Sequence, residues 1–207
     1  MAEHKKNIKQ ENLRSTFEKI DKIHPHKMLM YLFIFGTSMV FMFMLLAYAV
    51  SEANLRSFEM PKAFIISAMI MLVSGFCVSK VVPAYKSEDI AGLRNALAVA
   101  LFLGVVFSCC QYIGWQNLKN AGIFNEWKAE GLYLYVIGGM HLAMYIIAMS
   151  YLLVMLLESA KAAKDPVKAL IKVTNPYEKI KLEMLNAFWQ YLTVLWLVFF
   201  FYLLYSF

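Results

Sequence analysis

Four histidines and three cysteines are the residues whose types could bind a metal, and their spacing argues against it. His4, His24 and His26 lie in the polar first 27 residues, whereas His141 stands alone in a long apolar stretch. A haem held between two histidines inside one apolar layer cannot be built from that set, and no histidine–cysteine cluster exists for copper. Cys109 and Cys110 are adjacent, so on a helix their thiols point in different directions. With Cys77 they read as small hydrophobes rather than as a disulfide or a zinc site. Met140 and Met144 flank His141 with the spacing that sets two thioethers on one helical face, a donor set suited to Cu(I). Methionine also fills gaps between apolar side chains, and Met39, Met42 and Met44 show it used freely, so packing is the reading adopted. The neighbours of His141 are all uncharged, and no counter-ion favours a protonated ring. A neutral imidazole giving one hydrogen bond to a facing helix, to Gln190 or Thr193, is expected.

The elements that must position these residues are membrane helices. Of 207 residues, 61% are hydrophobic and 16% charged, whereas a soluble domain carries about 25% charged residues. Five stretches lack Asp, Glu, Lys and Arg: Met28–Val50, Ala63–Ser79, Asn95–Leu118, Leu132–Leu157 and Met184–Phe207, of 23, 17, 24, 26 and 24 residues. A helix needs about 20 residues to cross a hydrocarbon core of about 30 Å. The second stretch is lengthened by Val81, Val82 and Lys80, whose long side chain can reach the interface. Membrane strands would alternate polar and apolar residues in segments of about ten, a pattern these runs lack. The expected fold is an all-α membrane protein with five transmembrane helices at about 28–50, 63–84, 95–118, 132–157 and 184–207. They form one domain, 28–207, behind an arm of residues 1–27.

The arm is too polar for a signal peptide, so the first helix is expected to stay as an anchor. Residues 7–23 pattern as an amphipathic helix with Leu13, Phe17 and Ile20 on one face and a capping box at Ser15 and Glu18. Lysine and arginine number seven in the arm, three in the second connection and six in the fourth, against two each in the first and third. That asymmetry predicts a cytoplasmic N-terminus and a C-terminus outside. The net charge of +6 belongs to the cytoplasmic segments, where anionic lipid attracts it, and it points to no nucleic acid. Asp165-Pro166 and Asn175-Pro176 each pair a capping residue with a first-turn proline, so the last helix is expected to begin near Pro176.

Small residues mark where helices should meet. Ala96, Ala100, Gly104 and Ser108 form a row four apart, and Gly139 with Ala143 repeats the device; such rows let helices approach closely in lipid. The last helix is rich in Phe, Trp and Tyr and is expected to turn an aromatic flank to lipid or to a partner subunit. Proton-coupled transporters carry ionisable groups at mid-membrane depth and broken helices. Neither is present beyond His141, which disfavours a small-molecule permease.

The run Phe188-Trp189-Gln190-Tyr191-Leu192-Thr193-Val194-Leu195-Trp196-Leu197-Val198-Phe199 resembles the last-helix signature of haem–copper terminal oxidase subunit III, usually Tyr-Trp-His-Phe-Val-Asp-Val-Val-Trp-Leu-Phe-Leu. Three further segments are similar in order and spacing: Gln111–Trp115 followed by Gly122–Phe124, Tyr135–His141, and Lys27–Phe41. The resemblance covers all five helices and is to the short bacterial form, which lacks the first two helices of the seven-helix protein. It implies a non-catalytic accessory subunit in a bacterial plasma membrane, supporting catalytic subunit I and the other oxidase subunits and binding phospholipid. Haem and copper would then belong to those partners, with no cofactor in this chain. Departures are specific: the family's membrane glutamate falls at Thr37, the second histidine of its pair at Met144, and its last-helix histidine and aspartate at Gln190 and Thr193. His141, Trp189 and Trp196 keep the family residue. These six positions, Thr37, His141, Trp189, Gln190, Thr193 and Trp196, are the implied subunit and lipid contacts, and the loss of carboxylates speaks against a proton-antenna role. An accessory subunit of nitric oxide reductase is the alternative within the family.

Overall fold

A computed structural model of the chain describes residues 24–50, 59–122 and 129–206. The amphipathic segment 7–23 lies outside them, as does His4. Every described element is a helix: α1 Pro25–Val50, α2 Lys62–Ser79, α3 Val81–Lys86, α4 Ile90–Asn120, α5 Ala129–Ala162, α6 Pro166–Thr174 and α7 Pro176–Ser206. Five segments are long and apolar enough to cross a membrane: Pro25–Val50, Lys62–Lys86, Ile90–Asn120, Gly131–Ala162 and Pro176–Ser206.

Local chemistry sets the helix ends. Asp89 Oδ1 accepts from Gly92 N at 2.8 Å, Asp165 Oδ1 from Val167 N at 3.0 Å and Asn175 Oδ1 from Tyr177 N at 3.0 Å. Each satisfies a first-turn donor that has no partner within its own helix. Between α2 and α3 the helix tightens: Lys80 N bonds to Cys77 O at 3.1 Å, three residues back, and Pro83 has no N–H to give to Ser79 O. The turn into α4 uses a left-handed residue, Glu88, with φ 58°.

The chain divides between Thr37 and Ser38 into two compact units. In the first, α1 starts with Lys27 N and Met28 N bonded to His24 O at 2.9 and 3.3 Å. The Thr37 hydroxyl gives its hydrogen bonds back along the helix, 2.8 Å from Phe33 O and 3.1 Å from Ile34 O. In the second unit α2, α4, α5 and α7 form a ring in which α2 lies beside α4 and α7, and α5 beside the same two. The rest of α1 buries Phe41 and Tyr48. Phe41 meets the edge of Phe199, and Tyr48 lies between Tyr133 and Tyr202.

Two packing expectations are corrected here. The aromatic last helix does not turn its bulk outward: Trp189, Trp196 and Phe199 are 0, 2 and 1% exposed. Bulk packs closely where the facing helix is small, and α2 supplies Ser67, Ala68, Ser74 and Gly75 in its buried stripe. A Cβ on Gly75 would stand 3.2 Å from Thr193 Oγ1 and 3.3 Å from Gln190 Oε1. The second correction concerns Gly139 and Ala143, which are both exposed, with no atom within 4 Å of a Cβ built at Gly139. The close approach is made one residue earlier, where Gly138 lies against the indole of Trp115. A step of one residue turns a helical side chain by about 100°, enough to exchange the packed face for the open one. In the row on α4, Ala100 and Gly104 are buried, Ala96 half-buried and Ser108 exposed.

At the lysine-rich end, charges tie α5, α6 and α7 together. Lys172 Nζ lies 2.7 Å from Glu178 Oε2 and 3.4 Å from Glu158 Oε2. Lys181 Nζ lies 2.7 Å from Glu178 Oε1 and 3.7 Å from Glu158 Oε2. Nearby, Tyr85 donates to Asn175 O at 2.7 Å, joining α3 to the start of α7.

Candidate functional site

The middle of the ring is polar at a few chosen atoms and aromatic elsewhere. His141 on α5 is 4% exposed and its Nε2 lies 3.3 Å from Leu192 O on α7. A carbonyl only accepts, so Nε2 carries the hydrogen and Nδ1 the lone pair. The facing partner is therefore a main-chain carbonyl between Gln190 and Thr193, not either side chain, which corrects the expectation. Those two are engaged elsewhere: Gln190 Nε2 donates to Gly75 O at 2.7 Å and the Thr193 hydroxyl to Trp189 O at 3.0 Å.

Similar bonds pin the other helix pairs. Trp189 Nε1 donates to Ser74 Oγ at 2.8 Å, Gln111 Nε2 to Ser67 Oγ at 2.9 Å and the Tyr145 hydroxyl to Gly104 O at 2.8 Å. With little water to compete at this depth, each tie satisfies a group that would otherwise be left unpaired. Trp196 Nε1 is buried without an oxygen or nitrogen acceptor. The indole is instead enclosed by the rings of Phe107 at 5.6 Å, His141 at 5.3 Å, Phe64 at 6.0 Å and Phe199 at 5.7 Å. Rings at these separations give edge and face contacts that add to burial.

Beside His141 lies a cavity of about 880 Å³, lined by residues of α4, α5 and α7. Phe107, Trp115, Tyr135, Tyr145 and Trp196 wall it, Ser108 and His141 sit at its inner end, and Gln116 and Lys119 stand towards the connection that follows α4. Gly138 and Gly139 make part of its α5 wall. The arrangement has no acid–base pair. It offers a lipophilic space with a few hydrogen-bonding atoms at the end beside His141.

Of the six positions singled out by resemblance, His141, Trp189, Gln190, Thr193 and Trp196 fall in this central region, buried or half-buried. Thr37 belongs to the first unit and bonds along its own helix. Met144 is 4% exposed in the core and Met140 half-buried against it. Among the described residues no group of three or more His, Cys, Asp or Glu is placed to hold a metal ion. Three contributors escaped the sequence reading: the stripe Ser67, Ala68, Ser74 and Gly75, the close approaches at Gly114 and Gly138, and Tyr145. The stripe was detectable, since the small pair Ser67-Ala68 recurs seven residues on, two helical turns later, as Ser74-Gly75. The glycines were not, because which side of a helix is packed depends on its neighbours. No protein-family model matches the sequence, and no curated protein matches it.

Proposed function

We propose that this chain is the non-catalytic third subunit of a respiratory haem–copper terminal oxidase, the kind of complex that reduces oxygen to water. In this reading it spans a bacterial plasma membrane, with its N-terminus in the cytoplasm and its C-terminus outside. The observation that carries it is a meeting of segments. His141 and the Phe188–Phe199 run each resemble the family, lie 51 positions apart at His141 and Leu192, and are joined by the bond between those residues. A second resembling segment, Gln111–Trp115, binds α2 through Gln111 and closes on Gly138 through Trp115.

The task of such a subunit is mechanical. Its core of interlocked rings gives a firm flank against which a haem-bearing subunit can pack and from which water is excluded. Exposed apolar side chains such as Phe76, Phe102 and Phe201 present outer faces to phospholipid or to partner helices. Thr37, Gln190 and Thr193 replace the groups that would carry protons in the family, so this chain supports electron and proton transfer made elsewhere.

The test is purification in mild detergent through a tag on this chain, with mass spectrometry of the co-purifying proteins and reduced-minus-oxidised spectra of the eluate. The reading expects a haem- and copper-bearing chain in stoichiometric amount. Recovery of the chain alone, under conditions that keep the cell's oxidases intact, would overturn it.

A further inference from the structure

We infer that the cavity between α4 and α5 is a binding site for a membrane-soluble hydroquinone, held through its hydroxyl by His141 Nδ1. The inference concerns binding only and stands apart from the oxidase reading. Its first support is depth. Phe107, His141 and Trp196 each stand within four residues of the middle of their charge-free stretch, so the inner end of the cavity lies near the centre of the bilayer. Phospholipid headgroups sit about 15 Å from that plane, at the edge of the hydrocarbon core, and acyl chains carry no hydrogen to donate. An unpaired polar atom at this depth is costly unless something meets it.

The second support is the polarity of what is left over. His141 Nε2–H is spent on Leu192 O, and the Ser108 and Tyr145 hydroxyls both donate to Gly104 O, at 3.1 and 2.8 Å. What these three groups still offer is lone pairs. Nδ1 meets no donor among the described residues, and unlike Trp196 Nε1 it is not sealed from open space. The occupant that completes this end must therefore donate a hydrogen bond. The third support is the wall: Phe107, Trp115, Tyr145 and Trp196 suit a flat ring, and the opening along α4 and α5 leaves room for an attached tail. A flat ring, a hydroxyl donor and an apolar tail together describe a hydroquinone. Its oxidised quinone has the same ring and tail but only acceptor oxygens.

The experiment uses the full chain in quinone-free lipid nanodiscs under argon, titrated with decyl-hydroquinone kept reduced, decyl-quinone, or a diacylglycerol as an aliphatic hydroxyl. Quenching of tryptophan fluorescence reads the binding. Saturable one-to-one binding of the hydroquinone is expected, with the quinone about tenfold weaker, the worth of one hydrogen bond of ordinary strength. Diacylglycerol should not compete. His141→Phe should weaken the hydroquinone to the level of the quinone. Gly139→Phe should abolish binding at unchanged thermal stability, because it fills the cavity from a position where nothing lies within 4 Å of the new Cβ. Equal binding of the two redox forms, competition by diacylglycerol, absence of saturation, or full binding by Gly139→Phe would each overturn the inference.

Discussion

His141 shows how one buried ring presents two different nitrogens near the middle of an apolar stretch. Its Nε2–H couples α5 to a carbonyl of α7 that no side-chain substitution can remove. The same bond dictates which ring nitrogen keeps its lone pair. Hydrogen bonds between membrane helices are worth about 0.6 kcal/mol on average and up to about 1.7. His141→Leu is therefore expected to lower the chain's unfolding free energy by roughly that amount. His141→Gln, whose amide can still donate to Leu192 O, should lie closer to the parent. Denaturant titration of the three proteins in one detergent measures the difference, and a His141→Leu variant as stable as the parent would leave the bond with no stabilising role.

Within single helices, the packed face and the cavity face are separated by one-residue steps. On α5, Gly138 faces Trp115 while Gly139 faces the cavity. Gly138→Ala forces a Cβ into a rigid indole and is expected to cost about 1–3 kcal/mol, the usual penalty for overpacking. Gly139→Ala adds its methyl to open space and should be neutral or mildly stabilising, since alanine is the better helix former. If thermal melts rank the two variants the other way, the assigned face of α5 is wrong. At the lysine-rich end of α5, α6 and α7 the tie is electrostatic. Lys172 and Glu178 have only 8 and 10% of their side chains exposed, and loss of one partner strands the other. Lys172→Ala should destabilise by about 1–3 kcal/mol, the cost of leaving a buried polar group unsatisfied. The paired change Lys172→Met with Glu178→Leu should recover much of the loss, because no buried charge is then left without a partner. A double variant worse than the single one, measured by the same melts, would contradict that account.

For the whole molecule the open quantity is the direction in which five helices cross. Sixteen lysines and arginines lie in the arm and the even-numbered connections, against four in the odd ones. In a background lacking the three native cysteines, a cysteine at Asn54 should react with an impermeant maleimide in intact cells. One at Val167, a residue 65% exposed, should react only after lysis. The reverse pattern would invert the topology and with it the proposed place of the chain in an oxidase. Both outcomes leave the ring of α2, α4, α5 and α7 unchanged, since packing inside the bundle does not depend on which side faces the cell.

Five crossings, their approximate ends and the starts of α6 and α7 follow from the chain itself. A charge-free run of helix length has no other stable state in lipid, and Asp165-Pro166 and Asn175-Pro176 cap their helices through contacts two residues long. The same is true of Ala100 and Gly104, small residues repeated on one face. What only the tertiary structure decided is which face of each helix meets which neighbour. The burial of Trp189 and Trp196, the exchange of Gly138 for Gly139, and the bond from His141 to a backbone carbonyl all belong to that class. In a lipid-facing bundle both sides of a helix are apolar, so hydropathy does not mark the packed side. Position is settled instead by shape, where the bulk of α7 meets the small residues of α2, and such complementarity exists only between helices far apart in the sequence.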